Sequence, residues 1–119
     1  MAVSPEFVDY ILEQLAPLGG ITHRRMFGGV GLSRHDLFFA LIAEETLYLK
    51  TDDANLASFE AAGCEPFKPF KPFGGDKAMS YWSAPLDALE DPDLLAAWAS
   101  KGIEAAARAK TKPKRKPSR

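Results

Sequence analysis

Between residues 21 and 50 the chain alternates strand-length segments with short turn sequences, and this alternation constrains the fold more than any other feature. The predicted strands cover residues 21–27, 30–34, 37–42 and 46–50, where apolar, β-branched and aromatic residues concentrate. The connections are two or three residues long, which suits hairpins and is too short for parallel crossovers. The sequence therefore predicts an antiparallel meander of four strands.

Helix-start signals flank this meander on both sides. Ser4 offers a cap for free N–H groups and Pro5 suits the first helical position, so we expect an N-terminal helix to begin there. Asp91 and Pro92 form the same pair ahead of a long helix that extends to about Ala109. Between the meander and that helix, the pattern predicts a short helix over 55–62, a strand over 78–82 and a helical turn over 85–89.

These elements predict an α+β fold with one domain in residues 1–107. Its order is an N-terminal helix, a four-stranded antiparallel meander, a short helix, one or two further strands and a long C-terminal helix. The 119 residues are 46% hydrophobic, which is enough for one packed core. Gly102 lies inside the long helix at a cost of about 1 kcal/mol relative to alanine, so we expect close packing at that position.

The net charge of −1 conceals a strong asymmetry. Residues 108–119 contain no acid, and the other 107 residues hold eight basic and sixteen acidic side chains, a net charge of −8. A segment so rich in charge and proline buries too little apolar surface to fold alone, so we expect a disordered basic tail from residue 108. Its seven basic residues are Arg108, Lys110, Lys112, Lys114, Arg115, Lys116 and Arg119.

Several classes of protein are excluded by composition. No apolar stretch reaches the roughly 20 residues that span a bilayer, and the N-terminus lacks the layout of a signal peptide. A single cysteine, Cys64, rules out an internal disulfide and fits a reducing cytoplasm. Cys64, His23 and His35 have neither zinc-site spacing nor the third orienting group of a nucleophilic site. We therefore expect a cytoplasmic protein without a membrane partner, a metal, a cofactor or catalytic residues.

Arg24 and Arg25 are the first candidates for a partner-binding site. Neighbouring side chains of a strand point to opposite faces, so the two arginines cannot share one side of the sheet. Alternation places Arg25 with Ile21 and His23, and we expect it to be the more buried arginine, paired with an acid of a flanking helix. Arg24 is then the better candidate for contact with a partner. The alternative is that one arginine covers the sheet with its stem while the other is only solvated.

The glycines that follow these arginines are best explained by a turn. Gly28 and Gly29 form a dipeptide that suits a two-residue hairpin, because both central positions of such a turn can require positive φ. A phosphate-binding loop is disfavoured, since no Gly-Lys-Ser/Thr sequence follows and the segment leads into a strand.

A local repeat after the short helix is the second candidate. Phe67, Phe70 and Phe73 recur every third residue with interleaved lysines and prolines. This arrangement suits stacking on single-stranded nucleic acid or docking of a partner protein. The alternative is that the phenylalanines fold back on a sheet edge while the lysines and prolines block edge-to-edge aggregation.

Three short segments together resemble the N-terminal domain of the TfoX/Sxy competence-regulator family. They are residues 24–32, which read Arg-Arg-Met-Phe-Gly-Gly-Val-Gly-Leu, residues 47–50, which read Leu-Tyr-Leu-Lys, and residues 79–82, which read Met-Ser-Tyr-Trp and are followed by Pro85. The resemblance covers roughly residues 5–107. It implies a small α+β domain with an antiparallel sheet and a non-enzymatic role in transcription of DNA-uptake genes, in concert with the cyclic-AMP receptor protein. We expect a stand-alone domain, in which the basic tail takes the place of the family's helical C-terminal domain.

Two hypotheses for function follow. The first is a non-catalytic regulatory or adaptor domain that acts by protein contact through Arg24 or Arg25 and the 67–73 loop. The second is a nucleic-acid-binding protein whose basic tail contacts phosphates without reading sequence. The tail is equally explained as a solvated segment or as one that folds against the acidic body of the chain. The oligomeric state, including a homodimer, stays open.

Overall fold

The computed structural model describes residues 4–26, 29–67 and 80–111. The order of elements confirms the predicted α+β fold, in which helices precede and follow the strands of an antiparallel sheet in the chain. The N-terminal helix α1 (Pro5–Leu15) is followed by a single 3-10 turn, Ala16–Leu18. The elements are α1 (Pro5–Leu15), β1 (Ile21–Met26), β2 (Gly29–Arg34), β3 (Leu37–Ala43), β4 (Thr46–Lys50), α2 (Leu56–Ala61), β5 (Tyr81–Ser83), α3 (Leu86–Leu89) and α4 (Pro92–Thr111).

The sheet has five antiparallel strands in the order β1-β2-β3-β4-β5. The first four form the predicted meander, and β5 joins it beside β4 after the chain has passed through α2. The outer side of β5 is occupied by the chain itself: the N–H of Phe67 donates to the carbonyl of Tyr81, and the N–H of Ser83 donates to the carbonyl of Glu65, both at 2.8 Å. The sheet therefore has one edge that this chain closes and another, β1, whose one strand partner among the described residues is β2.

One face of the sheet forms the core. Alternation along the central strands places six buried apolar side chains in two cross-strand rows, and the long helix α4 packs over β3 and β4. A register shift between β2 and β3 interrupts the alternation at Phe39, so Phe39 and Ala40 are both buried. The rows are Val30, Ile42 and Leu47, and then Leu32, Ala40 and Leu49, all of them buried. Helix α1 adds Ile11 and Leu15, and α4 adds Leu95 and Ala99, to the same cluster.

The helix starts follow the predicted capping chemistry. The side chain of Ser4 accepts a hydrogen bond from the N–H of Phe7 at 3.2 Å, and Pro5 is the first residue of α1. The carboxylate of Asp91 accepts from the N–H groups of Asp93 and Leu94 at the start of α4. These side chains satisfy donors that have no partner inside the helix.

Two tight turns of the meander use residues other than glycine at positive φ. His35 and Asp36 have φ of 50° and 70°, and Glu44 and Glu45 have φ of 53° and 61°. Such turns match the twist of the strands that they connect, although left-handed backbone is costly for residues with a Cβ atom. The carboxylate of Glu45 accepts hydrogen bonds from the backbone N–H of Ser4, at 2.7 Å, and from the hydroxyl of Ser4. These bonds connect the second turn to the start of α1.

The first hairpin differs from its predicted form. Met26 lies opposite Gly29, and Gly29 is the first residue of β2 rather than part of the turn. The predicted turn glycine Gly28 and its neighbour Phe27 lie outside the described residues.

Close approach between α4 and the sheet explains Gly102. A Cβ atom there would lie 3.1 Å from the carbonyl oxygen of Phe39 and 3.3 Å from the backbone nitrogen of Lys50. Nearby, the buried side chain of Asn55 donates to the carbonyl of Lys101 at 3.0 Å and accepts from the N–H of Asp52 at 2.9 Å. These contacts join the end of β4, the start of α2 and the middle of α4.

Helix α4 extends to Thr111, so the predicted boundary of the basic tail at residue 108 falls inside the helix. Ala105 and Ala106 are buried just before this boundary, and Arg108 beyond them is paired with Asp52, whereas Ala109 and Lys110 are exposed. Among the described residues, no helix combines the length and the hydrophobicity that crossing a bilayer requires.

Candidate partner-binding surfaces

The two candidate arginines lie on β1, the edge strand to whose outer side no other described segment is hydrogen-bonded. We call this side of the sheet the open edge. Arg24 pairs with Gly31, and Arg25 pairs with Val30, whose side chain is buried on the helix-covered face. The predicted alternation is therefore present, with Arg25 on the helix-covered face and Arg24 on the opposite face. Thr22, His23, Arg24 and Arg25 are all exposed.

The expected burial of Arg25 is wrong. Arg25 is exposed, and in the described part of the chain neither it nor Arg24 forms a salt bridge with an acidic residue. The reason lies in the strand order: α4 packs over β3 and β4, two strands away from β1. A strand at the sheet edge can follow the alternation of its neighbours while its side chains extend beyond the helices that cover them.

Two other arginines, Arg34 and Arg108, bind groups of this chain. Arg34 donates from Nε to the carbonyl of Gly19 and from Nη2 to the carbonyl of Leu18, both at 2.9 Å. Arg108 forms a two-pronged ion pair with Asp52, with Nε 2.6 Å from one carboxylate oxygen and Nη2 2.9 Å from the other. The arginines of β1 thus differ from those that hold the fold together.

The second predicted surface is described only at Phe67. Its ring packs against Tyr48 with centroids 4.8 Å apart, and its backbone N–H bonds to β5. This position fits the alternative in which the phenylalanine covers the sheet edge. Phe70 and Phe73, with the lysines between them, lie outside the described residues.

A second group of aromatic contacts lies on the sheet face opposite the helices. The rings of Phe38 and Tyr81 meet edge to face at 6.0 Å, and the ammonium of Lys50 lies 5.3 Å from the centroid of Tyr81. Burial raises the pKa of Tyr81 to about 12, because the phenolate would lose its hydration. Alternation in β4 places Tyr48 and Lys50 on this face, but the contacts with β5 and Phe67 depend on the tertiary fold.

A cleft of about 520 Å³ that the sequence did not indicate opens between β4, the residues after α2 and the start of α3. Its walls include Tyr48, Cys64 and Leu86, and three carboxylates, Glu45, Glu65 and Asp87, line it. None of the described residues that line it carries a positive charge, so the cleft disfavours anions.

Cys64 does not have the environment of a reactive thiol. Burial raises the pKa of the Cys64 thiol, although a hydrogen bond with Ser83 opposes that effect. A raised pKa reduces the thiolate fraction, which is the nucleophilic form. The described residues also contain no cluster of histidine, cysteine and carboxylate side chains that would hold a metal ion.

Comparison with known proteins gives a family that agrees with this architecture. Residues 13–106 match the TfoX N-terminal domain, which is most of the described chain. The chain belongs to the TfoX N-terminal domain family. It is also similar to the DNA transformation protein TfoX1 of Aliivibrio fischeri, with 44% identity over 54 residues. That alignment covers 45% of this chain and 26% of the relative, so the chain spans about a quarter of the relative's length there.

The basic C-terminal residues follow the region that matches the TfoX N-terminal domain and are only partly described. Arg108, which we predicted as a phosphate contact, lies on α4 and is paired with Asp52. The guanidinium lowers the pKa of the Asp52 carboxyl, mainly through their hydrogen bonds. Lys110 is exposed near the end of the helix. The other five predicted contacts lie outside the described residues: Lys112, Lys114, Arg115, Lys116 and Arg119.

Proposed function

We propose that this TfoX N-terminal domain is a non-catalytic regulatory adaptor that controls transcription of DNA-uptake genes by protein contact. The contact surface is the edge of β1, centred on Arg24 and Arg25. The proposed partner is a transcription regulator of the cyclic-AMP receptor type, which the family resemblance supplies. This role places the protein in the cytoplasm.

The observation that carries the proposal is the contrast between two pairs of arginines. Arg34 and Arg108 are held by carbonyls or by a carboxylate of this chain. Arg24 and Arg25 are exposed on opposite faces of an edge strand, without an ion pair to another described residue. Arginine offers a planar fork of donors that binds carboxylates in two-pronged geometry, and it is enriched at protein interfaces. An exposed pair of this kind supports a contact surface.

The role is testable in the bacterium that carries this chain. Its gene is deleted and then restored as the wild type, as the double variant Arg24→Ala/Arg25→Ala, or as the control Lys77→Ala/Lys101→Ala, which removes the same charge elsewhere. Messenger RNA of the DNA-uptake genes and transformation frequency are measured. We expect the wild type and the control to restore both, and the arginine variant to restore neither.

Two outcomes contradict the proposal. If deletion leaves transcription of the DNA-uptake genes unchanged, the regulatory role fails. If the arginine variant restores it fully, the role stands and the β1 surface fails. Circular dichroism of each purified variant separates loss of contact from loss of folding.

The basic C-terminal segment supports non-specific nucleic-acid binding as the alternative function. The test compares duplex DNA binding at low salt by the full chain and by a chain that ends at Thr111, which keeps the Arg108–Asp52 ion pair. Equal binding by both forms contradicts a role for the tail. Absence of binding by the full chain contradicts the alternative function itself.

A further inference from the structure

We propose that β1 accepts an extended acidic segment of a partner protein as an additional antiparallel or parallel strand, with carboxylates of that segment bound to Arg24 and Arg25. This inference rests on the proposed function, because it names the chemistry of the partner that the β1 surface recognises. Adding a strand to an exposed sheet edge is a recurring mode of peptide recognition, in which the main chain supplies affinity and the side chains supply specificity.

The backbone of β1 is available for such pairing. The strand has six residues, contains no proline and pairs with β2 on one side. In an antiparallel pair, every second residue directs its N–H and C=O groups away from the neighbouring strand. Among the described residues, no other strand or loop hydrogen-bonds to that outer side. The edge therefore offers a row of donors and acceptors of strand length.

The opposite edge of the sheet does not offer the same site. Strand β5 has three residues, and the segment 65–67 already bonds to its outer side. Pro66 lies opposite Trp82 in that segment and has no N–H to donate to a further strand. The choice of β1 as the pairing edge is thus made by the fold, not by the presence of arginines alone.

The arginines determine which strand can pair. Arg24 extends from one face of the sheet and Arg25 from the other. An added strand also alternates, so two consecutive acidic residues would place one carboxylate on each face, opposite the two guanidinium groups. The recognised segment is therefore extended, with adjacent acids at its centre and β-branched or aromatic residues around them.

A second copy of this chain is disfavoured as the occupant. If two β1 strands paired antiparallel with Ile21 opposite Met26 of the other copy, His23 would face Arg24 and Thr22 would face Arg25. On each face of the paired strands, Arg24 of one copy would then lie diagonally across from Arg25 of the other, within reach of these long side chains, and the two like charges would repel each other. Charged residues on edge strands commonly prevent self-association in this way. The same charges that reject a second copy attract an acidic strand.

The experiment titrates the full chain with a short peptide of valine and threonine that carries two consecutive glutamates at its centre. Amide chemical shifts and amide hydrogen exchange are followed by nuclear magnetic resonance. The control peptides replace the glutamates by lysines or by threonines. We expect the glutamate peptide to shift β1 amides at millimolar concentration and to slow exchange of alternate β1 amides at least threefold. Neither control peptide should do so.

A charge swap sharpens the result. In Arg24→Glu/Arg25→Glu, we expect the preference to reverse, so that the lysine peptide slows β1 exchange and the glutamate peptide does not. The control Lys77→Glu/Lys101→Glu makes the same change in net charge at residues assigned to no binding surface and should keep the preference of the wild type. Circular dichroism verifies that both variants fold.

Several outcomes overturn the inference. Shifts that map to α4 or to the cleft, no shift at all, or equal effects of the glutamate and threonine peptides each contradict an acid-specific β1 site. Concentration-dependent protection of β1 without peptide assigns the edge to a second copy instead. If the peptide fails while Arg24→Ala/Arg25→Ala still abolishes activation of the DNA-uptake genes, the proposed function survives and only the strand-pairing mode is rejected.

Discussion

The two edges of the sheet differ in what happens to the backbone groups that the sheet itself leaves unpaired. Each edge strand has backbone groups that its own sheet leaves unpaired, and such groups invite association with other chains. At β5 the chain closes the edge with its own segment 65–67, so the hydrogen bonds are made internally. At β1 the described structure leaves the edge unpaired and places Arg24 and Arg25 on it.

Pairing with the chain's own segment and placing charges on the strand both protect an edge from association, but they differ in their effects on stability and on binding. The closed edge contributes to stability because it buries the side chain of Tyr81, which has 6% of its surface exposed. A charged edge contributes little to stability but discriminates between partners by the sign of their charge. Substitutions at the closed edge should therefore affect folding, and those at the open edge should affect only binding.

The largest expected effect is at the closed edge. Tyr81→Ala removes a buried ring from β5 and from its contact with Phe38, and we expect a loss of about 3 kcal/mol in the free energy of unfolding. Urea denaturation measures it. Tyr81→Phe keeps the ring and serves as the matched control. A loss below about 1 kcal/mol for Tyr81→Ala would show that β5 is not part of the stable core.

Asn55 tests whether stability is concentrated near the closed edge, at the junction of β4, α2 and α4. Asn55→Ala leaves the carbonyl of Lys101 and the N–H of Asp52 without this partner in a buried site. We expect a loss of about 2 kcal/mol, since unsatisfied buried polar groups are costly. Asn55→Asp keeps the acceptor but loses the donor and places a carboxylate in the buried site, so both changes contribute to its loss of stability. Urea denaturation of both variants measures the losses. Wild-type stability in Asn55→Ala would contradict a structural role for the junction.

Arg108 is paired with Asp52, whereas Arg24 and Arg25 have no ion pair with a described residue, so its substitution shows what such a pair contributes to stability. The pKa of Asp52 is lowered from its ordinary value of 3.8, so the ion pair stabilises the fold above that pH. This stabilisation is lost as the pH falls through the lowered pKa and Asp52 becomes protonated. We expect Arg108→Ala to lower the melting temperature at pH 7, by less than Asn55→Ala does. In acid, the melting temperatures of Arg108→Ala and the wild type should lie closer together.

The measurement is a series of thermal melts between neutral and acidic pH, with Lys110→Ala as the control. Lys110 is exposed near the same helix end, and its removal should leave the pH dependence unchanged. A difference between Arg108→Ala and the wild type that does not shrink in acid would mean that Asp52 is not the partner that matters.

The smallest effect on stability is expected at the open edge. Arg24→Ala/Arg25→Ala removes two exposed side chains that form no ion pair with a described residue, so the free energy of unfolding should change by no more than about 0.5 kcal/mol. Urea denaturation beside Tyr81→Ala makes the comparison direct. A loss as large as that of Tyr81→Ala would remove the distinction between the two edges.

Most elements of the fold could be predicted from local sequence. Ser4 and Pro5 begin α1, Asp91 and Pro92 begin α4, and the β4 boundaries agree with the alternation of Leu47 and Leu49. These features depend on neighbours within a few residues, so the sequence carries them directly. The position of β5 was less accurate, because a three-residue strand gains its stability from pairing with β4.

The candidate site was predictable in its residues but not in its environment. Alternation placed Arg24 and Arg25 on opposite faces correctly, because the period of a strand is a local property. It could not show that β1 is the sheet edge beyond α4, which is why the expected burial of Arg25 was wrong. The cleft beside Cys64 was missed for the same reason, since its walls come from β4, the residues after α2 and α3.

The sequence by itself determined the alternating strands, the helix starts, the segregation of charge and the resemblance to the TfoX N-terminal domain. Only the tertiary structure decided that α4 packs over β3 and β4, that segment 65–67 closes one edge, that Asp52 holds Arg108, and that β1 is the other edge. The physical reason is range: capping and alternation involve near neighbours in the chain. Exposure depends instead on which distant segments cover a residue.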